Sequence, residues 1–185
     1  MALKDDVVSP IIFINMILLR KPRPKILYLH GKDEETKYPD GGRIYNTLRK
    51  YFDIDYAKLS TEPVQGWKDF EDLDFSRYSA VLGFSMGGVY ASCQDKIPAI
   101  LLNPGYGLSQ AFPEYKKLDT TWKKMDHSGI LKIFLSEKDK YSAAYLPEIR
   151  KAGLEDRIQW IPAQKHVPTE EEIKKYLVPG IKKLI

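Results

Sequence analysis

At 185 residues, with 43% hydrophobic and 29% charged residues, the chain has the length of one domain and the composition of a globular protein. A net charge of +4 built from interspersed signs, with no basic stripe alternating with aromatics, argues against a nucleic-acid surface. The single Cys93 excludes an internal disulfide framework and suits a reducing cytoplasm, and three scattered histidines offer no metal-ligand spacing.

Residues 1–24 read as an N-terminal extension. Its apolar run, 7–19, is broken by Pro10 and Asn15 and is too short for a membrane span. Asp5 and Asp6 directly precede the run, and Arg20, Lys21 and Arg23 come after it, against the pattern of a signal peptide. An extra edge strand or helix on the domain is the default expectation. A weak membrane-surface anchor, or a start at Met16, are the alternatives.

From Lys25 onward, strand-like and helix-like segments alternate, the pattern of βαβ units and a parallel sheet within a single domain. Lys25–Leu29 is an apolar strand ending in His30-Gly31-Lys32. Asp40 is placed to cap a helix whose inner face carries Ile44, Leu48 and Tyr51. A strand near 54–57 and a short helix around 67–72 come after it. Next is the apolar run Ser79-Ala80-Val81-Leu82, which leads into Gly83-Phe84-Ser85-Met86-Gly87-Gly88.

That last segment has the form of a nucleophile elbow, a sharp strand-to-helix turn that lifts a serine hydroxyl above the sheet. Small residues two positions either side are required because the helix start lies almost against the strand; Gly83 and Gly87 supply them. The plainer reading is a Gly-rich turn with an incidental Ser. The downstream segments decide between the two. A helix is expected from Met86 to about Gln94, with Cys93 as buried filler, and then a strand at 99–102. Leu131–Leu135 is a strand that runs into Ser136-Glu137-Lys138-Asp139, and 157–161 is another, running into Pro162-Ala163-Gln164-Lys165-His166. Ser, acid and His thus each come directly after a strand, on one edge of the sheet and in the order that an elbow serine requires. Asp139 is the favoured acid, with Glu137 competing from the same turn. His166 is the favoured base, ahead of His30, which suits support of the first turn, and His127. Thr169 and Glu172 form a capping box for the last helix, which Pro179 should end or kink.

On these residues the chain resembles the α/β-hydrolase superfamily. The Leu29-His30-Gly31 turn, the elbow, the Ser-Glu-Lys-Asp turn and the late His carry the resemblance from residue 25 to the end. Its short length and Leu102-Asn103-Pro104 are similar to compact bacterial serine esterases of the YqiA type. One departure is Lys32, where many relatives carry an apolar or aromatic residue. The resemblance implies a compact α/β fold and a Ser85–Asp139–His166 triad acting on a small-molecule acyl substrate. Backbone N–H groups of Met86 and Lys32 would form the oxyanion hole, with no metal or organic cofactor. A carboxylesterase is the first expectation. A thioesterase, amidase or acyltransferase with the same triad is the second, and a non-catalytic binding protein that keeps the fold is the third.

Two further expectations concern the mouth of such a site. The long connection at 104–130 reads as a small lid or pocket wall, with Tyr106, Phe112 and Trp122 as substrate contacts and Tyr115 adding aromatic surface. The alternative is a peripheral helix that touches no substrate. Lys32, Lys138, Lys140 and Lys165 adjoin site residues and would form a cationic rim if they face inward.

Overall fold

Short apolar strands with few breaks between them need cover on both faces, and this sheet has it. The computed structural model describes residues 24–32 and 41–185; the 7–19 run and Asp40 lie outside them. Six strands, β1 (Lys25–Leu29), β2 (Asp53–Ala57), β3 (Ala80–Phe84), β4 (Ala99–Leu102), β5 (Ile130–Ser136) and β6 (Ile158–Ile161), form one sheet in the order β2-β1-β3-β4-β5-β6. Every pairing is parallel.

Successive side chains of a strand point to opposite faces, and the core divides accordingly. Leu27, Leu29, Val81, Leu101, Ile133 and Leu135 face one side. There they meet Phe70 of α2 (Pro63–Glu71), Val89 and Tyr90 of α3 (Met86–Ala91), Trp122 of α5 (Lys116–Trp122) and Ile149 of α6 (Ser142–Lys151). Ile26, Tyr28, Leu82, Phe84, Ile100, Leu102 and Phe134 face the other. They pack against Ile44 and Leu48 of α1 (Gly42–Leu48) and the inner face of the last helix.

Several boundaries differ from the sequence expectation, each for a local reason. Helix α2 starts earlier than expected, because the Glu62 carboxylate accepts from the N–H groups of Val64 and Gln65 and Pro63 sits where its missing N–H costs nothing. Helix α3 stops at Ala91 rather than near Gln94. The Gln94 amide instead closes a turn, accepting from Lys96 and Ile97 N–H and donating to the Ile97 carbonyl. The last helix opens on the expected Thr169–Glu172 capping box. It runs through α7 (Glu170–Glu172), a π-helical turn at Ile173–Leu177 and α8 (Val178–Lys182). Pro179 does not end it. The proline falls in the first turn of α8, directly after the widened turn, where little is lost by its missing N–H.

The connection at 104–130 folds as α4 (Leu108–Ala111), a 3₁₀ turn at Pro113–Tyr115 and α5. It packs inward: Tyr106, Tyr115, Leu118 and Trp122 are all buried in the core. Asp119, also buried, accepts from the N–H groups of Gly107 and Ser109 and so fastens α4 to α5. Among the described residues no helix is long and apolar enough to cross a membrane.

Candidate active site

The chain passes from β1 to β2 on one side, then returns to place β3 on the other side of β1. In an open parallel sheet, such a reversal leaves a crevice beyond the C-terminal ends of the two diverging strands, where ligands bind. The turns after β1 and β3 carry Gly31 and Ser85, and they lie in contact: a Cβ built on Gly31 falls 3.4 Å from the Ser85 Cβ.

Ser85 sits between β3 and α3 with φ 53° and ψ −117°, a left-handed value that costs a non-glycine residue about 1–3 kcal/mol. The surroundings hold it there. Its N–H donates to the Leu102 carbonyl at 3.0 Å, and its own carbonyl accepts from Gly88 at 3.0 Å and Gly105 at 2.9 Å. The close approach forces the flanking glycines, since a Cβ on Gly83 would lie 2.4 Å from the Gly87 carbonyl oxygen. One on Gly87 would lie 2.2 Å from that of Leu29. All other residues of β3 and α3 are buried, whereas Ser85 is half-exposed.

Beyond β5, the turn separates the two candidate acids. Glu137 is exposed and bonds through its backbone N–H to Ile161, at the end of β6. Asp139 turns inward, its side chain 1% exposed, with Oδ2 2.7 Å from His166 Nδ1. Its second oxygen accepts from the Tyr141 N–H at 3.1 Å. A neutral His166 that donates from Nδ1 has its lone pair on Nε2, the arrangement a general base needs. The imidazole packs against the ring of Phe84, the residue before Ser85, at 5.1 Å between centroids, and edge-on to Tyr141 at 5.4 Å.

The other two histidines are occupied elsewhere. His30, fully buried, accepts the Leu59 N–H at Nε2 (3.0 Å), which leaves its ring proton on Nδ1, 2.7 Å from the Gly31 carbonyl. It therefore braces the turn after β1, and its own carbonyl accepts from Gly87 at 3.0 Å. His127 precedes β5, at the opposite edge of the sheet from the strand C-termini. It packs on Trp122, and burial lowers its pKa, disfavouring the cation.

Met86 is the first residue of α3, a position whose N–H has no intrahelical acceptor, and Lys32 comes directly after the Gly31 turn. The Lys32 ammonium rests 3.6 Å above the Phe112 ring and 6.0 Å from that of Tyr115. Phe112 is therefore half-buried against the turn after β1. Tyr106 and Trp122 do not fit the expectation of substrate contacts. They stack on each other at 4.0 Å, each 1% exposed, because α5 packs onto α3 instead of standing over the sheet edge. Of the other lysines, Lys138, Lys140 and Lys165 are exposed, and the Lys140 ammonium lies 4.8 Å over the Tyr141 ring.

Two participants in this geometry are not apparent from residue type alone. Tyr141 flanks His166. Asn103, fully buried with φ 44°, bonds to both Ser136 and the His166 carbonyl. The available signal was a residue that tolerates left-handed backbone, placed directly at a strand end. Among the described residues no group of three or more His, Cys, Asp or Glu is arranged to hold a metal ion. A concavity away from these residues, lined by Tyr45, Arg49, Asp55 and Tyr78, lies beside β2; its carboxylate is already engaged by Lys25 at 2.8 Å and Tyr78 at 2.9 Å. No protein-family model matches the chain, and no curated protein matches it.

Proposed function

We propose that this protein is a serine hydrolase of the α/β-hydrolase kind, acting as a carboxylesterase on a small acyl ester. The observation that carries the proposal is the Asp139–His166 pair, at 2.7 Å, on the same sheet edge as a strained, half-exposed Ser85. In this reading the Ser85 hydroxyl attacks the acyl carbon while His166 Nε2 takes its proton. Asp139 holds the imidazole in the required tautomer and stabilises the imidazolium. The backbone N–H groups of Met86 and Lys32 receive the developing oxyanion. His166 then returns the proton to the leaving alkoxide. Water, activated by the same base, clears the acyl-enzyme and regenerates Ser85.

The glycine contacts around Ser85 support the reading, because so close a strand-to-helix approach serves mainly to present that one side chain. The test is labelling of the purified chain with a serine-reactive fluorophosphonate, alongside hydrolysis of p-nitrophenyl esters of graded chain length. Wild type should label, and Ser85→Ala should lose both labelling and turnover, down to a residue of about 10³-fold over water from the oxyanion donors. Equal labelling of the two proteins would overturn the proposal.

A further inference from the structure

An imidazole is only as well placed as the backbone that carries it. His166 lies in the loop after β6, a strand at the edge of the sheet whose Trp160 is 44% exposed. One side chain fastens that loop to the sheet interior. Asn103 Nδ2 donates to the His166 carbonyl at 2.7 Å and to Ser136 Oγ at 2.8 Å, and Asn103 Oδ1 accepts from the Ser136 N–H at 2.8 Å. The amide orientation is determined by its partners, since a backbone carbonyl can only accept and a backbone N–H can only donate.

Ser136 is the last residue of β5, and its carbonyl accepts from the Asp139 N–H at 3.2 Å. A single buried amide thus holds the carbonyl of His166 and the root of the Asp139 turn, and the Asp139–His166 contact closes the ring. The preceding residue completes the arrangement, because the Leu102 carbonyl holds the Ser85 N–H. The dipeptide at the end of β4 therefore grips the backbone of Ser85 and of His166 at once. Its backbone is specialised for this: at φ 44°, Asn or Asp is favoured over most residues, and only Asn supplies the donors.

We infer that Asn103 is a positioning residue. It acts through the His166 backbone and Ser136 to set the Asp139–His166 pair relative to Ser85, without touching substrate. The inference rests on the hydrolase reading, and its test includes a measurement independent of activity. Asn103→Ala removes all three bonds. Asn103→Asp keeps shape and backbone preference but turns an oxygen toward the His166 carbonyl, and it serves if the Ala variant fails to fold. Each should slow fluorophosphonate labelling about 10²-fold, the loss that a displacement of about 1 Å produces. Each should also weaken or shift the downfield proton resonance of the Nδ1–H···Oδ2 bond. Ser92→Ala is the control. It removes a buried 2.7 Å bond to Tyr106 and should lower stability while leaving labelling rate and resonance unchanged. A folded Asn103→Asp protein with wild-type labelling and an unshifted resonance would overturn the inference. Should wild type not label at all, the hydrolase reading falls, and the resonance alone then decides whether Asn103 sets the pair.

Discussion

Two carboxylates two positions apart on one turn have different fates because β5 ends between them and the core. Ser136 is the last residue held in the ladder, Glu137 continues outward toward β6, and the chain then folds back to bury Asp139. Composition and spacing bring both acids to the same turn. They cannot say which one faces inward, since that depends on the Asp139 N–H closing onto Ser136 at 3.2 Å. The chemical consequence is large in the proposed mechanism. Asp139→Asn should lower ester turnover by about 10⁴-fold, the usual loss when the base is left in the wrong tautomer. Glu137→Gln, at an exposed site with no contact to His166, should leave kcat within about twofold, as surface changes usually do. Steady-state kinetics of the two variants on one ester checks both; the reverse ranking would move the acid to Glu137. Ser85, His166 and the turn that holds both acids were legible as candidates because they follow strands in the order that an elbow serine requires. Asn103 was not, since its partners, Ser136 and the His166 carbonyl, lie far along the chain and meet it only once the sheet is assembled.

Elements were legible where hydrophobic period decided them and obscure where tertiary packing did. All six strands stand where short apolar runs put them. The connection after β4 was harder, because its aromatic residues suit a pocket wall and a core equally well. Its helices bury Tyr106 and Trp122 against α3, as core residues, and leave Phe112 half-buried beside Lys32. Trp122→Ala should therefore cost about 3–5 kcal/mol of stability in denaturant unfolding, the range for deleting a large buried aromatic. A pocket-wall role would instead alter the chain-length preference for esters with little change in the unfolding midpoint. Pro179 marks another limit of local rules. A proline reads as a helix stop or kink; the helix does not stop, because the π-helical turn before α8 brings Pro179 into a new first turn, where its missing N–H is tolerated.

Across the whole molecule, the parallel arrangement stems from alternating segments, while the reversal beside β1 is visible only once the strands are assembled. A surface carboxylate on the last helix ties it to the end of α1 and makes stability depend on pH. Glu170 accepts from Lys50, beyond α1, at 2.9 Å and from Lys174 at 2.8 Å. Those two ammonium groups hold its pKa at about 2, against an ordinary 4.5. The folded state therefore keeps the carboxylate charged in a range where the unfolded chain has already bound a proton. Its contribution is complete above 4.5 and disappears as pH falls toward 2. Thermal unfolding of wild type and Glu170→Gln should differ by a small, salt-sensitive amount at neutral pH, and the two curves should converge near pH 2. A difference that persists there would assign the effect to something other than this ion pair. The strand order has a temporal consequence as well. Ser85 hangs from the third strand, its backbone is clamped from the fourth, Asp139 waits on the fifth and His166 on the loop beyond the sixth. A chain emerging from the ribosome carries its serine long before its histidine. In the proposed mechanism, turnover has to wait until β6 has docked and the loop that carries His166 is in place.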